Sequence, residues 1–176
     1  MAFIIDAGGN VVSFAEYTDV TTIDQRVFEA NEGLTQDIVE DMLERSTQRL
    51  LQKVKASDWW REYAGTIAGG FSSLAALPTP NANLFQRRAD WTEVCVFHTL
   101  YAYLYPKIAN FSDAESAEVQ KIVFYENRMQ DLFMEMISMG DFYDRDGDGT
   151  VENDEKLVKY ALTRRTRGRK SIVRVK

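Results

Sequence analysis

The chain holds one cysteine, Cys95, and one histidine, His98. A lone thiol excludes an internal disulfide framework, and a single imidazole excludes Cys/His zinc sites and most histidine-based catalysis. Carboxylates, hydroxyls and amines are what remain for chemistry. No apolar run approaches the ~20 residues that a membrane span needs; the most apolar stretch, Val94 to Tyr105, is interrupted by His98 and Thr99, so no membrane partner is expected. Met1 to Phe14 has no basic stretch ahead of a long apolar one and does not read as a secretory signal, so the protein is expected to stay in the cell.

What is present is 176 residues, 45% apolar and 27% charged, the composition of one ordinary soluble domain. A fold of this length buries roughly 70% of the surface its unfolded chain exposes, so a core forms without staples. The net charge of −6 hides an asymmetry. The last thirteen residues carry seven cations, Arg164, Arg165, Arg167, Arg169, Lys170, Arg174 and Lys176, and no anion; the preceding 163 carry a net −13. An acidic body ends in a basic tail.

Short β-prone runs at Phe3-Ile4-Ile5 and Val11-Val12-Ser13-Phe14 flank the glycines Gly8 and Gly9 and predict a hairpin over residues 3–14. A short helix is expected within Thr22 to Ala30. Thr35 reads as an N-cap, with Leu34 and Val39 as a hydrophobic staple and Asp37 at the positive end of the helix dipole. Ile38, Val39, Met42, Leu43, Leu50, Leu51 and Val54 then share one face of a helix over about 35–55. Ser57-Asp58-Trp59-Trp60 restarts or bends it. The two tryptophans stand about 100° apart, one expected in the core and the other at a subunit contact. A connector containing Pro78 and Pro80 follows. Asp90-Trp91-Thr92-Glu93 is a capping-box pattern opening a helix over about 90–105, apolar nearly all round and closed by Pro106, the expected centre of the core. Ser112-Asp113-Ala114-Glu115 is a second such pattern, opening a helix over about 113–139 that Gly140 stops. Cys95 and His98 read as core residues, and Met129, Met134, Met136 and Met139 as core filling at a helix end, with an adaptable target groove as the alternative.

The most specific motif is Asp144-Arg145-Asp146-Gly147-Asp148-Gly149-Thr150-Val151-Glu152-Asn153-Asp154-Glu155, which matches the twelve-residue EF-hand calcium loop at every diagnostic position. Three Asp, one Gly and one Glu at these offsets arise by chance in about one in ten thousand chains of this length. Calcium takes six to eight oxygens. Asp144, Asp146 and Asp148 supply alternate carboxylates, Thr150 its backbone carbonyl, and Glu152 an oxygen directly or through water. Glu155 closes the shell, and Gly149 permits the sharp turn. Gly140 stands four residues before the loop, where an entering helix normally presents a large apolar side chain, and this points to a broken entry. With one loop rather than a pair, conformational opening is not implied. A structural ion is expected, fixing the angle between the third long helix and a fourth over about 154–164.

The expected fold is therefore all-α: a small helical bundle over 1–163 with an N-terminal β-hairpin, an EF-hand-like loop, and an extended basic arm over 164–176. Three readings of the arm stay open: a disordered solubilising end, a nucleic-acid contact, or a segment docking on a protein partner. The cations suit phosphate, whereas Ile172, Val173 and Val175 suit strand addition to a sheet edge, which uses both properties.

The run Leu34 to Leu50, containing Glu44-Arg45-Ser46-Thr47 and leading to Ser57-Asp58-Trp59-Trp60, resembles the first helix of the head-to-tail connector (adaptor) proteins of tailed phages. In that family the motif often reads Glu-Arg-Ala-Thr, so Ser46 is a departure. A Trp-containing buried helix followed by a long one extends the resemblance over about residues 30–165. It implies a virion neck protein, assembled in the host cytoplasm into a homo-oligomeric, dodecameric ring on the portal protein. C-terminal arms there reach neighbouring subunits or the portal, neighbouring neck and tail proteins are further partners, and DNA passes through the lumen. An acidic wall would repel phosphate and discourage sticking. The alternative is an intracellular calcium-binding regulator with a single loop that recruits a target through its methionines. No nucleophile and base pair is identifiable, so no enzyme activity is expected.

Overall fold

A computed structural model describes residues 3–29, 33–66, 73, 76–112, 116–152 and 155–156. Two strands, β1 (Ile4–Ile5) and β2 (Val11–Ser13), pair antiparallel with Ile4 opposite Ser13 and Ile5 opposite Val11. Their turn is set by Asp6, whose carboxylate accepts the Gly8 and Asn10 amides at 2.8 Å each while Gly9 takes φ +83°. Only a residue without Cβ enters that region freely.

Six α-helices follow among the described residues: α1 (Tyr17–Ile23), α2 (Arg26–Glu29), α3 (Gln36–Ala56), α4 (Asp58–Thr66), α5 (Arg88–Thr99) and α6 (Ala117–Met139). The fold is all-α with a small hairpin, as expected. The short helix expected within 22–30 is α2; a further helix, α1, precedes it and ends at Asp24, whose side chain is drawn inward to other partners. Thr35 caps α3 through the Ile38 amide, and most of the predicted stripe is buried, with Val39, Leu43, Leu50 and Val54 fully enclosed, while Leu51 is partly buried and Ile38 at the helix start is exposed. At Ser57 the hydroxyl donates to the Val54 carbonyl at 2.6 Å and accepts the Trp60 amide at 3.2 Å, so one side chain closes α3 and opens α4.

Trp59 and Trp60 are both buried, which corrects the expectation that one of them faces a neighbouring subunit. Phe142 and Tyr143 return over α4 and cover both, with Trp59 4.5 Å from Phe142 and Trp60 5.1 Å from Tyr143 between ring centroids. The Trp60 indole also donates to the Pro78 carbonyl at 2.8 Å, fastening the connector.

Helix α5 packs between α3 and α6, and its residues Trp91, Thr92 and Val94 to Thr99 are all buried. It opens at Arg88 rather than Asp90. Asp90 does not cap it but receives the Arg87 guanidinium at 2.6 Å, with Arg87 in the left-handed region at φ +54°. Its α-helical part ends at Thr99, and a wider turn over Leu100–Leu104 leads into a 3-10 turn at Tyr105–Lys107, where the Pro106 ring cannot extend an α-helix. Helix α6 starts about a turn later than the Ser112 pattern predicts: Ser116 is the cap, accepting the Val119 amide at 3.4 Å. Gly140 ends it at φ +65°.

Buried polar groups register these pieces. Phe14 donates its amide to Thr47 at 3.0 Å and accepts from the Thr92 hydroxyl at 2.7 Å, so the hairpin exit is fixed to both α3 and α5. Ser46 is fully buried, 3.0 Å from His98 Nδ1 and 2.7 Å from the Thr99 hydroxyl. A hydroxyl is needed at position 46 because the enclosed imidazole would otherwise lack this partner. No described helix is long and apolar enough to cross a membrane.

Candidate metal centre

The route into the acidic loop is not a helix. After Gly140 the chain runs extended and pairs with the segment ahead of α5: Gln86 donates to the Phe142 carbonyl at 2.8 Å, Asp144 to the Leu84 carbonyl at 2.9 Å, and Phe85 bridges Tyr143. Phe142 is fully buried, within 4.5 Å of Trp59, 5.2 Å of Trp91 and 5.7 Å of Phe85. Arg87 adds an ion pair to Asp141 at 3.0 Å. The loop thus begins at the aromatic core. The entry is broken as Gly140 indicated: what precedes the loop is a stapled extended segment, and Glu155 lies in a turn. Residues 154 and 157–164 of the expected fourth helix, and every arm residue from Arg164 to Lys176, including Ile172, Val173 and Val175, lie outside the described residues.

Within the loop, backbone amides turn toward carboxylates. Asp144 Oδ1 accepts from Gly147 and Oδ2 from Gly149, each at 2.7 Å, and the Gln86 side-chain amide donates to Oδ2 at 3.2 Å. Asp146 accepts the Asp148 amide at 3.2 Å. Asp148 accepts both the amide and the hydroxyl of Thr150 at 2.8 Å. Such a reversal needs positive φ at Gly147 (+77°) and Gly149 (+94°), and glycine supplies it without steric cost.

Asp144, Asp146 and Asp148 form a cluster that could hold a metal ion, with one carboxylate oxygen from each lying within 4.8 Å of the others. Oxygens bound to one hard cation at about 2.3–2.6 Å can be no more than about 5 Å apart, so this spacing fits a shared ion. The donor set is all hard oxygen, which suits calcium or magnesium and not a soft metal. Glu155 is not part of that cluster. Its two oxygens accept the amides of Arg145 at 2.7 Å and Glu152 at 3.1 Å, tying the loop's start to its end. Thr150 and the Glu152 side chain are exposed.

The electrostatics differ along the cluster. Burial opposes ionisation of Asp144, but the Gly149 and Gly147 amides outweigh it and hold its carboxyl below the usual carboxylate range. For Asp146 the Asp148 amide favours the charged form, yet desolvation and the charges of Asp148 and Glu155 prevail and raise it. Three anions gathered in one place repel, and a divalent cation is the direct way to relieve that repulsion.

Two contributors were not visible in the sequence as loop residues. Gln86, 58 positions upstream, holds Asp144. Tyr63 on α4 packs its ring 5.4 Å from Tyr143, next to the first acidic position. The core residues behave as expected: burial pushes the Cys95 thiol up to about 12 and, with the charges of Lys53 and Arg49, the His98 imidazole down to about 4. Of the methionines, Met129 and Met136 fill the core while Met134 and Met139 are exposed. In comparisons with protein-family models, curated proteins and solved structures, nothing matches this chain.

Proposed function

We propose that this chain is a non-enzymatic structural subunit of a tailed-phage virion, a head-to-tail connector that assembles as a ring on the portal protein. Its acidic body surrounds the DNA channel, and its basic C-terminal arm grips a neighbouring subunit or the portal. A structural Ca2+ in the loop of Asp144, Asp146, Asp148, Thr150, Glu152 and Glu155 stiffens the root of that arm. Neck proteins neighbouring the ring are its further contacts, and the site of action is the virion neck after assembly in the host cytoplasm.

The observation that carries this reading is the rooting of the loop in the core. Phe142 is sealed among aromatic rings and the 84–86 segment staples 142–144, so the start of the loop that precedes the basic residues in the chain is fastened to the globule. A tail of seven cations on a body of net −13 suits docking of one copy's end on another copy's acidic surface. Electron microscopy of the purified chain, alone and mixed with portal, is the test. Rings are expected, and deletion of 164–176 should leave the monomer folded but abolish assembly; unimpaired assembly refutes the docking role. A strongly basic lumen would refute the repelling wall.

A calcium-binding regulator is the second reading. Met134 and Met139 are exposed, and a groove of about 490 Å3 runs between α6 and the α3–α4 junction, lined by Met129, Phe133, Met134 and Ile137. A calcium titration separates the two. A regulator exposes apolar surface to a dye on binding, whereas a structural site gains thermal stability alone.

A further inference from the structure

The Tyr63 hydroxyl is buried, with the residue 2% exposed, and has no hydrogen-bond partner among the described residues. Leaving a buried donor unsatisfied is unfavourable, and such a group calls for an explanation. Its surroundings supply one. The Tyr63 ring stacks on Trp59 at 5.0 Å and Trp60 at 5.3 Å and meets Tyr143 edge-on at 5.4 Å, which locks the residue against the root of the acidic loop. Burial acts first on its phenol, followed by the charges of Tyr143 and of the loop residues Glu155, Arg145 and Asp144. The neighbouring Tyr143 hydroxyl is already used, accepting the Asn81 amide at 3.2 Å. Among the described residues of the loop, Asp144 and Glu155 are the buried carboxylates, 1% and 6% exposed, and Asp144 directly follows Tyr143 in the chain.

We propose that Tyr63 is a positioning residue for a hard divalent cation in the 144–155 loop: its idle hydroxyl donates to the Glu155 carboxylate when the ion is held, orienting that carboxylate from behind. The inference rests on the metal-binding reading above and assigns it a residue 81 positions upstream of its first acidic ligand. Donors behind a ligating carboxylate fix its direction and raise its effectiveness, and their loss typically weakens metal binding by tenfold or more. Because Tyr63 sits in one stack with Trp59 and Trp60, the aromatic cluster also senses the ion.

Tyr63→Phe in the full chain removes the oxygen and keeps the ring. Calcium binding is measured by titration calorimetry, with apo melting and near-ultraviolet circular dichroism followed in parallel. The expected result has two opposite signs: the apo protein melts at the same temperature or higher, because an unpaired polar atom is gone, while calcium binds roughly tenfold more weakly and its effect on the aromatic dichroism shrinks. Equal calcium affinity for the wild type and Tyr63→Phe overturns the assignment while leaving the metal site intact. A wild-type chain that binds neither calcium nor magnesium overturns the metal reading itself, and the role of Tyr63 falls with it. A Tyr63→Phe variant whose apo form melts well below the wild type shows that the hydroxyl serves the fold, and this also overturns the proposal.

Discussion

Replacing Asp24 by asparagine should destabilise the fold more than any other single exchange of one polar group for another in this chain. One oxygen, Oδ2, accepts three donors: Tyr105 at 2.5 Å, Lys121 at 2.6 Å and Tyr125 at 2.8 Å. These partners come from the 3-10 turn after α5 and from α6, so the carboxylate joins the break between α1 and α2 to the opposite side of the bundle. The exchange keeps the size of the side chain but loses its charge, leaving the Lys121 ammonium beside two phenols with no anion. Removing one partner of a buried pair costs about 3–5 kcal/mol; because Lys121 is about a third exposed and keeps some access to water, the lower part of that range applies, about 3 kcal/mol. For a chain of this size that is a fall of roughly 6–12 °C in melting temperature. The pH dependence follows. Burial opposes ionisation of Asp24, but the bonds from Lys121, Tyr105 and Tyr125 prevail and hold its folded carboxyl below the ordinary value of 3.8. A depressed carboxyl stabilises the fold above its unfolded value and loses that contribution as pH falls through the folded one. Urea unfolding at pH 7 should therefore separate Asp24→Asn from the wild type by about 3 kcal/mol, and the gap should narrow below pH 4. A difference under about 0.5 kcal/mol at pH 7, the size expected of an ordinary surface exchange, refutes the account of this network.

Two further outcomes are expected. His98 titrates near 4 in the fold against an ordinary value of 6.5, so between those values the unfolded chain takes up a proton that the folded chain refuses; stability should fall as pH drops through that window, by up to about 3 kcal/mol, and His98→Gln should flatten that limb in urea unfolding followed from pH 7 to pH 4. Asp146 is exposed and accepts only the Asp148 amide among the described bonds, so Asp146→Ala should leave apo melting nearly unchanged yet abolish the gain from calcium, which at a hundredfold excess over Kd amounts to about 2.7 kcal/mol or roughly 5–10 °C in the wild type; differential scanning calorimetry with calcium and with chelator measures both.

Much of the scaffold was legible because its signals are local. Thr35 with the stripe from Val39 to Val54 marked α3, Gly140 marked the end of α6, and the glycines near Asp6 marked the hairpin. Starts were less legible where two residues of equal capping chemistry compete: Ser112 and Ser116 both qualify for α6, and Ser116 is the cap used. Asp90 was misread because a pairing partner, Arg87, won it from the helix terminus. The spacing of the acidic loop revealed the cluster of Asp144, Asp146 and Asp148, but nothing in that spacing points to Gln86 or Tyr63, which reach it through tertiary packing. The fate of Trp60 was hidden for the same reason, since its cover, Tyr143, comes from 83 residues downstream.

The loop is divided in a way that bears on what an ion does there. Its inner half is held by hydrogen bonds: both oxygens of Asp144 and both of Glu155 accept backbone amides, and each such bond to a charged acceptor contributes about 1.5–3 kcal/mol. The outer half, Asp146, Asp148 and Thr150, is exposed, with Asp146 accepting the Asp148 amide and Asp148 the amide and hydroxyl of Thr150. The inner half is thus tied together by the loop's own backbone amides and carboxylates. On the proposed metal-binding reading, a Glu155 that completes a bidentate shell has to share or surrender the Arg145 and Glu152 amides, which lowers the net gain from binding. On the reading proposed above, an ion held that way orders the exposed residues 146–150 rather than the core.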